Sequence, residues 1–170
     1  MNKAIFLDRD GTINIDYGYV HDIDKFHFID GVIEGLKILS DLGYLLIVIT
    51  NQSGIGRKMF SEDEFHTLND YMLGTLKDNG INISKVYYCP HVDSDNCNCR
   101  KPLLELFYRA RDEFDIDLDN SYAIGDKERD LSICKCENVK GILLTDKGND
   151  EYICASSLLE AARYIEKQSR

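Results

Sequence analysis

Short apolar runs alternate along this chain with stretches in which apolar residues recur at helical spacing. The apolar runs predict strands over residues 4–7, 45–49, 86–88, 122–124 and 142–144, with a weaker candidate over 152–154. Fully apolar runs of this length are typical of strands that are buried on both faces of a sheet.

The stretches between these strands predict helices. One face of the first helix carries Val32, Leu36, Leu39 and Leu42. Ser61, with Glu64 three residues later, predicts a capping box at the start of the second. Further helices are predicted over residues 102–114, with Pro102 in the first turn, 131–139 and 157–166.

Alternating strands and helices indicate an α/β fold: a doubly wound, mostly parallel sheet with helices on both faces. A length of 170 residues suits a single domain over residues 1–170. Ligands of such folds bind at the carboxyl ends of the strands. Asp8, Thr50, Cys89 and Asp126 each follow a predicted strand, so we expect them to share one edge of the sheet.

The charge of the chain narrows the choice of partner. A net charge of −10 disfavours nucleic acid, whose binding usually relies on a basic surface. A small anionic substrate remains compatible, because salt screens charges beyond about 8–10 Å and local cations then dominate. No apolar run approaches the roughly 20 residues that span a bilayer, so we expect no membrane association and a cytoplasmic location.

Asp8 and Asp10 lie directly after the first predicted strand and are followed by Gly11. In extended backbone they point the same way, with Arg9 pointing elsewhere. Two carboxylates this close repel unless a cation joins them, and Mg²⁺ prefers such oxygen ligands. The alternative is an ordinary polar strand end with an Asp-Gly turn.

Further residues extend this candidate magnesium and phosphate site. Asp126 can complete the cation site, with Asp130 one helical turn on to support it. Thr50 and the backbone N–H groups after it can cradle a phosphate, although a plain polar turn explains the same residues. The adjacent cations Arg100 and Lys101 either bind an anion or are solvated surface charges.

Four soft ligands lie within eleven residues: Cys89, His91, Cys97 and Cys99. Three thiolates and one imidazole suit a closed, tetrahedral, structural Zn²⁺ site that shapes the loop before Lys101. Cys134, Cys136 and Cys154 are interpreted as packing thiols, and their role is left open.

Asp8-x-Asp10-Gly11-Thr12, Thr50, Lys101 and Gly125-Asp126-xxx-Asp130 match, in order, the four motifs of the haloacid dehalogenase superfamily. Within it the chain resembles the group of histidinol phosphatases and heptose-bisphosphate phosphatases, which carry a zinc loop before the motif lysine. The resemblance covers essentially the whole chain. It implies a capless haloacid dehalogenase-like fold with a zinc-binding loop.

The resemblance also implies roles for individual residues. Asp8 would be the nucleophile and Asp10 the general acid and base, while Thr50 and Lys101 stabilise the transferring phosphoryl group. The Mg²⁺ ligands would be Asp8, the backbone carbonyl of Asp10, and Asp126. The implied substrate contacts are Asp16, Tyr17, Gly18, Tyr19, Asn51, Gln52, Ser53, Arg100 and Lys127.

The implied reaction removes the 7-phosphate of D-glycero-D-manno-heptose 1,7-bisphosphate, in the biosynthesis of nucleotide-activated heptose for surface polysaccharide, and we expect a monomer. Histidinol phosphate stays open as substrate, because the five-residue spacer between His91 and Cys97 looks more like that of histidinol phosphatases. A DNA 3′-phosphatase is disfavoured by the acidic charge. A phosphoacceptor signalling domain would need an aspartate after the third strand, where Cys89 stands.

Overall fold

A computed structural model describes residues 1–170 and contains one six-stranded sheet. The strands are β1 (Ala4–Leu7), β2 (Leu45–Asn51), β3 (Ile83–Cys89), β4 (Tyr122–Gly125), β5 (Lys140–Leu144) and β6 (Ile153–Ala155). Their order is β3-β2-β1-β4-β5-β6, and every neighbouring pair is parallel. All six predicted strands are confirmed, with β3 starting earlier and β6 lying one residue later than expected.

Successive residues of the central strand β1 pack into two different cores. Ile5 and Leu7 belong to one apolar cluster, whereas Ala4 and Phe6 belong to the other. The first cluster includes α1 (Val32–Asp41), α3 (Glu62–Asp78) and α5 (Leu158–Gln168). The second includes α4 (Glu105–Phe114) and a 3-10 helix over Glu128–Lys135. The prediction of a doubly wound sheet covered on both faces is therefore confirmed.

The capping box predicted from the sequence is present at the start of α3. The hydroxyl of Ser61 accepts a hydrogen bond from the backbone N–H of Glu64 at 3.1 Å, and the Glu64 carboxylate accepts one from the Ser61 N–H at 3.1 Å. This reciprocal pair satisfies two N–H groups that the first helical turn cannot pair internally.

Two helix predictions need correction. Pro102 is not in a first helical turn: the Leu103 N–H donates to the Arg100 carbonyl, closing a turn at Lys101 and Pro102, and α4 begins only at Glu105. The helix predicted over 131–139 is instead the 3-10 helix Glu128–Lys135, whose start is held by the Asp130 carboxylate accepting the Lys127 N–H.

A four-residue helix, α2 (Ser53–Gly56), was not predicted, since it is too short to show a periodic pattern. Three short 3-10 helices, Ile23–Lys25, Asp93–Asp95 and Leu118–Asn120, and the connecting loops complete the segments between the strands. None of the helices is both long and apolar enough to cross a bilayer.

The capping box at α3 gives a direct test of this local structure. Ser61→Ala should lower the free energy of unfolding by about 1 kcal/mol, because the Glu64 N–H loses its partner. Urea denaturation measures the change. Ser94→Ala, in the exposed 3-10 helix Asp93–Asp95 and without a side-chain hydrogen bond, is the control and should leave the unfolding free energy unchanged. Equal effects of the two substitutions would contradict the capping role.

Candidate active site

The residues that follow the strand ends surround one cavity of about 280 Å³. Its walls are formed by Asp8, Asp10, Asp16, Gly18, Tyr19, Asn51, Gln52, Ser53, Gly54, Arg57, Arg100, Lys101, Asp126, Lys127, Arg129 and Asp130. The expectation that distant segments meet at one edge of the sheet is confirmed. Two residues from the predicted site, Tyr17 and Thr50, do not line this cavity.

Lys101 is buried at the base of the site, with 2% of its surface exposed. Its Nζ donates to Asp8 Oδ1 at 3.1 Å, to Asp130 Oδ1 at 2.7 Å and to the Ile49 carbonyl at 2.6 Å. The ammonium thus has an acceptor for each of its three protons. Burial alone would lower the pKa of Lys101, but the carboxylates of Asp8 and Asp130 outweigh it and raise that pKa, so the amine stays charged.

The side chain of Asn51 fixes the backbone of Lys101. Asn51 Oδ1 accepts from the Lys101 N–H at 2.9 Å, and Asn51 Nδ2 donates to the Lys101 carbonyl at 3.1 Å. The last residue of β2 therefore sets the position from which the lysine side chain enters the site.

Carboxylate oxygens of Asp8, Asp126 and Asp130 lie within 4.8 Å of one another. Oδ1 of Asp126 is buried without a hydrogen-bond partner, although a buried carboxylate oxygen normally has one. A hard dication such as Mg²⁺ would satisfy it, so the residues fit this ion. The carboxylate of Asp10 lies outside this cluster, and the family resemblance assigns the Mg²⁺ contact of Asp10 to its backbone carbonyl.

Two glycines permit this crowding. A Cβ atom on Gly11, whose φ is +85°, would lie 2.2 Å from Asp126 Oδ2. A Cβ on Gly125 would lie 2.4 Å from the Cβ of Asp130. Neither contact is sterically possible. Residues 11 and 125 must therefore lack a Cβ atom for Asp126 and Asp130 to occupy these positions.

The burial and crowding of these carboxylates change the pKa of Asp8. Burial raises that pKa to about 7; Lys101 opposes the rise, and the nearby carboxylates, Asp130 first, add to it. Burial and Asp130 likewise raise the pKa of Asp126. A dication bound between these oxygens would favour their ionised forms and lower both pKa values.

The carboxylate of Asp10 is held by three side chains. Arg9 Nη2 lies 3.1 Å from both of its oxygens, Asn14 Nδ2 donates to Oδ1 at 2.9 Å, and Gln52 Nε2 donates to Oδ2 at 3.0 Å. The expectation that Arg9 points away from Asp10 is wrong. The strand ends at Leu7, so side chains no longer alternate after it, and the buried Arg9 guanidinium pairs with Asp10.

The remaining predicted substrate residues divide into two groups. Asp16, Gly18 and Tyr19 line the cavity, and Asp16 Oδ1 accepts the Gly18 N–H at 2.9 Å. The ring of Tyr17 instead lies edge-on against His27, with 5.8 Å between ring centroids.

Four cations besides Lys101 line the cavity of this acidic chain. Arg100 pairs with Asp93, and Lys127 Nζ lies 4.0 Å from Asp126 Oδ2. Arg57 and Arg129 also line it, and their side chains form no ion pair. Sequence reasoning missed these two, although Arg129 stands beside Asp130 in the last acidic motif.

The predicted zinc ligands also come together. The Sγ atom of Cys89 lies 2.8 Å from that of Cys99 and 3.6 Å from that of Cys97, and His91 Nδ1 lies 3.3 Å from Cys99 Sγ. Burial raises the pKa of Cys97, but the N–H groups of Cys99 and Arg100 more than offset it and lower that pKa to about 7. Convergent soft ligands of this kind fit Zn²⁺.

The other three cysteines do not all behave as interpreted. Cys134 and Cys154 pack against the second apolar cluster, as expected of packing thiols. Cys136 does not, because it follows the end of the 3-10 helix and is exposed.

A model of the family described as "Polynucleotide kinase 3 phosphatase" matches residues 3–146. The D-glycero-beta-D-manno-heptose-1,7-bisphosphate 7-phosphatase of Pasteurella multocida is 47% identical over 154 residues, covering 87% of this chain and 84% of that protein. The enzyme of the same name from Haemophilus influenzae is 50% identical over 137 residues, covering 77% and 74%. The chain belongs to the heptose-bisphosphate phosphatase family of the haloacid dehalogenase superfamily.

Solved structures agree with this membership. The D,D-heptose 1,7-bisphosphate phosphatase of B. bronchiseptica, complexed with magnesium and phosphate, superimposes with a TM-score of 0.88. It is 27% identical, and the match covers 98% of this chain and 99% of that one. The haloacid dehalogenase-like fold expected from the four motifs is thus confirmed for this heptose-bisphosphate phosphatase family member.

The zinc cluster predicts a stabilising metal that is separate from the carboxylate site. Cys97→Ser should reduce bound zinc from about one per chain to a small fraction and lower the melting temperature, since metal binding contributes to folding. Cys136→Ser, at the exposed cysteine, is the matched control and should change neither quantity. Elemental analysis that finds no zinc in unmodified protein purified without chelator would contradict this site.

Proposed function

We propose that this protein is a Mg²⁺-dependent phosphatase that removes the 7-phosphate of D-glycero-β-D-manno-heptose 1,7-bisphosphate. One observation carries the proposal: Asp8 lies in the cavity beside the ammonium of Lys101 and the unpartnered oxygen of Asp126. The substrate is that named for the relatives from Pasteurella multocida and Haemophilus influenzae.

The first chemical step is assigned to the carboxylate of Asp8. One oxygen of Asp8 attacks phosphorus, the bond between phosphorus and the sugar oxygen breaks, and Asp10 gives that oxygen a proton. Lys101 and the loop amides neutralise charge on the phosphoryl oxygens. Thr50, which contacts the cavity residue Gln52 but does not itself line the cavity, stays a predicted third contact. Water then attacks phosphorus, Asp10 takes its proton, and phosphate leaves with Asp8 restored.

Asp8, Asp126 and the Asp10 carbonyl would hold Mg²⁺, which when bound supplies positive charge beside the phosphoryl group. The zinc loop has a different task. Its residue Asp93 pairs with Arg100, next to Lys101, so the four zinc ligands support the segment that carries both cations. This is consistent with a structural Zn²⁺.

The charge at the cavity favours a bisphosphate. Arg57, Arg100, Lys127 and Arg129 line it, and they offer a second anionic group of the substrate several partners. Histidinol phosphate has one phosphate and carries an ammonium group, which these cations would repel. The cationic lining therefore favours heptose bisphosphate over histidinol phosphate, in agreement with the relatives' names.

Other parts of the proposal stay predictions. They are one domain over residues 1–170, a monomeric state, a cytoplasmic location, substrate contact by Asn51, Ser53 and the loop at 16–19, and a place in the biosynthesis of nucleotide-activated heptose.

Asp8→Asn tests the nucleophile. The amide has nearly the same shape but is a poor nucleophile and a poor Mg²⁺ ligand, so kcat should fall by about 10⁴-fold or more. Phosphate release measures the loss, and the zinc content and melting temperature should remain close to those of the unmodified protein. Repeated turnover in a clean Asp8→Asn preparation would overturn the mechanism.

A pair of substitutions tests how the substrate is oriented. In the proposed orientation the 7-phosphate lies at Asp8 and the anomeric phosphate lies at Arg100. Arg100→Ala should lower kcat/KM for the bisphosphate by about 10- to 100-fold, because a charge-assisted contact to the anomeric phosphate is lost. It should affect a heptose 7-monophosphate much less. Lys101→Ala should lower kcat/KM for both substrates, since Lys101 contacts Asp8.

The exposed Arg163, paired with Glu34 away from the cavity, supplies the control substitution Arg163→Ala. The assigned orientation is wrong if Arg100→Ala reduces kcat/KM equally for both substrates, or if phosphate is released from the anomeric carbon.

A further inference from the structure

The amide of Gln52 has two hydrogen-bond partners in the site, and both are protein side chains. Its Nε2 donates to Asp10 Oδ2 at 3.0 Å and to Thr50 Oγ1 at 3.0 Å. Gln52 is itself buried, with 4% of its surface exposed, so its orientation is fixed by packing as well as by these bonds. The Gln52 amide therefore links Asp10, the proposed proton donor, to Thr50, the proposed phosphate-binding residue.

The other two donors to Asp10 are close to it in sequence. Arg9 and Asn14 belong to the same loop after β1, and both are fully buried. Together the three side chains supply two hydrogen bonds to each Asp10 oxygen. This leaves the carboxylate with one well-defined orientation.

Gln52 differs from Arg9 and Asn14 because it directly follows β2, whose last residue is Asn51. It is the only one of the three that ties Asp10 to the segment carrying Thr50. Proton transfer requires Asp10 to lie within hydrogen-bond reach of the leaving oxygen. Thr50 is the proposed contact to the phosphoryl group that is bonded to that oxygen. A fixed distance between the two residues is thus a requirement of the chemistry.

We propose that Gln52 is a positioning residue, whose side-chain amide sets Asp10 relative to the phosphate-binding residue Thr50. This inference rests on the proposed function and differs from the direct substrate contact implied for Gln52 by family resemblance. Without the amide, Asp10 keeps its loop partners but loses its link to the phosphate site. A shift of about 1 Å is enough to cost roughly 100-fold in rate.

The test compares two leaving groups in Gln52→Met, which keeps the length of the side chain and removes both hydrogen bonds. For the sugar phosphate, whose alkoxide leaving group needs a proton, kcat should fall about 10- to 100-fold with KM changed by less than about threefold. For p-nitrophenyl phosphate, whose leaving group needs no proton, release of p-nitrophenolate in the first turnover should change by less than about threefold.

Gln168→Met is the matched control, since Gln168 is the only other glutamine and lies exposed near the end of α5. If Gln52→Met is too unstable to assay, Gln52→Glu retains the shape and polarity while losing the donor, and the same split between substrates is expected.

Equal losses for both leaving groups, or a rise in KM with kcat unchanged, would overturn the positioning role and return Gln52 to direct substrate contact. The proposed function fails by a different result, which is turnover that survives in Asp8→Asn.

Discussion

The site depends on one buried ammonium surrounded by carboxylates. Lys101 contacts Asp8 and Asp130 at the floor of the cavity, and Asp126 lies within the same carboxylate cluster. A buried charge is tolerated only when paired, and here one cation faces three carboxylates, which leaves an excess of negative charge. Burial first, and the surplus carboxylates after it, raise the pKa of Asp8, and one oxygen of Asp126 is left without a hydrogen-bond partner. A dication bound to these oxygens would neutralise that excess.

The rest of the fold serves this arrangement. Parallel strands bring Asp8, Asn51, Cys89 and Asp126 to one edge, which no local segment could assemble alone. Gly11 and Gly125 remove the Cβ atoms that would keep the aspartates apart. Asn51 holds the Lys101 backbone from one side, and the zinc loop supports the same segment through Arg100 and Asp93. The four candidate zinc ligands are separate from the carboxylate cluster and lie in the segment that leads to Lys101.

Sequence reasoning succeeded where a pattern is local. Asp8 directly after β1, the four clustered cysteine and histidine ligands and the capping box at Ser61 are patterns of this kind. The role of Lys101 came from the match to the superfamily motifs, because an adjacent Arg-Lys pair alone also fits surface charge. Sequence reasoning did not predict the hydrogen bonds whose two partners lie in distant segments of the chain. The bridge from Gln52 to Asp10 spans 42 residues, and the contact of Lys101 with Asp130 spans 29.

Other features were hidden for different reasons. The helix α2 is too short for periodicity, and the turn at Pro102 depends on a hydrogen bond that composition cannot reveal. Arg57 and Arg129 resemble ordinary surface charges until the fold places them at the cavity.

Calorimetric titration of Mg²⁺ into the unmodified protein and into Asp126→Asn tests the central claim most directly. The carboxylate cluster predicts one Mg²⁺ per chain in the unmodified protein. Binding should be at least about tenfold weaker in the variant, since a neutral amide replaces a carboxylate ligand, and the zinc content should not change. Equal Mg²⁺ affinity in the two proteins, or no Mg²⁺ binding to the unmodified chain, would contradict the account.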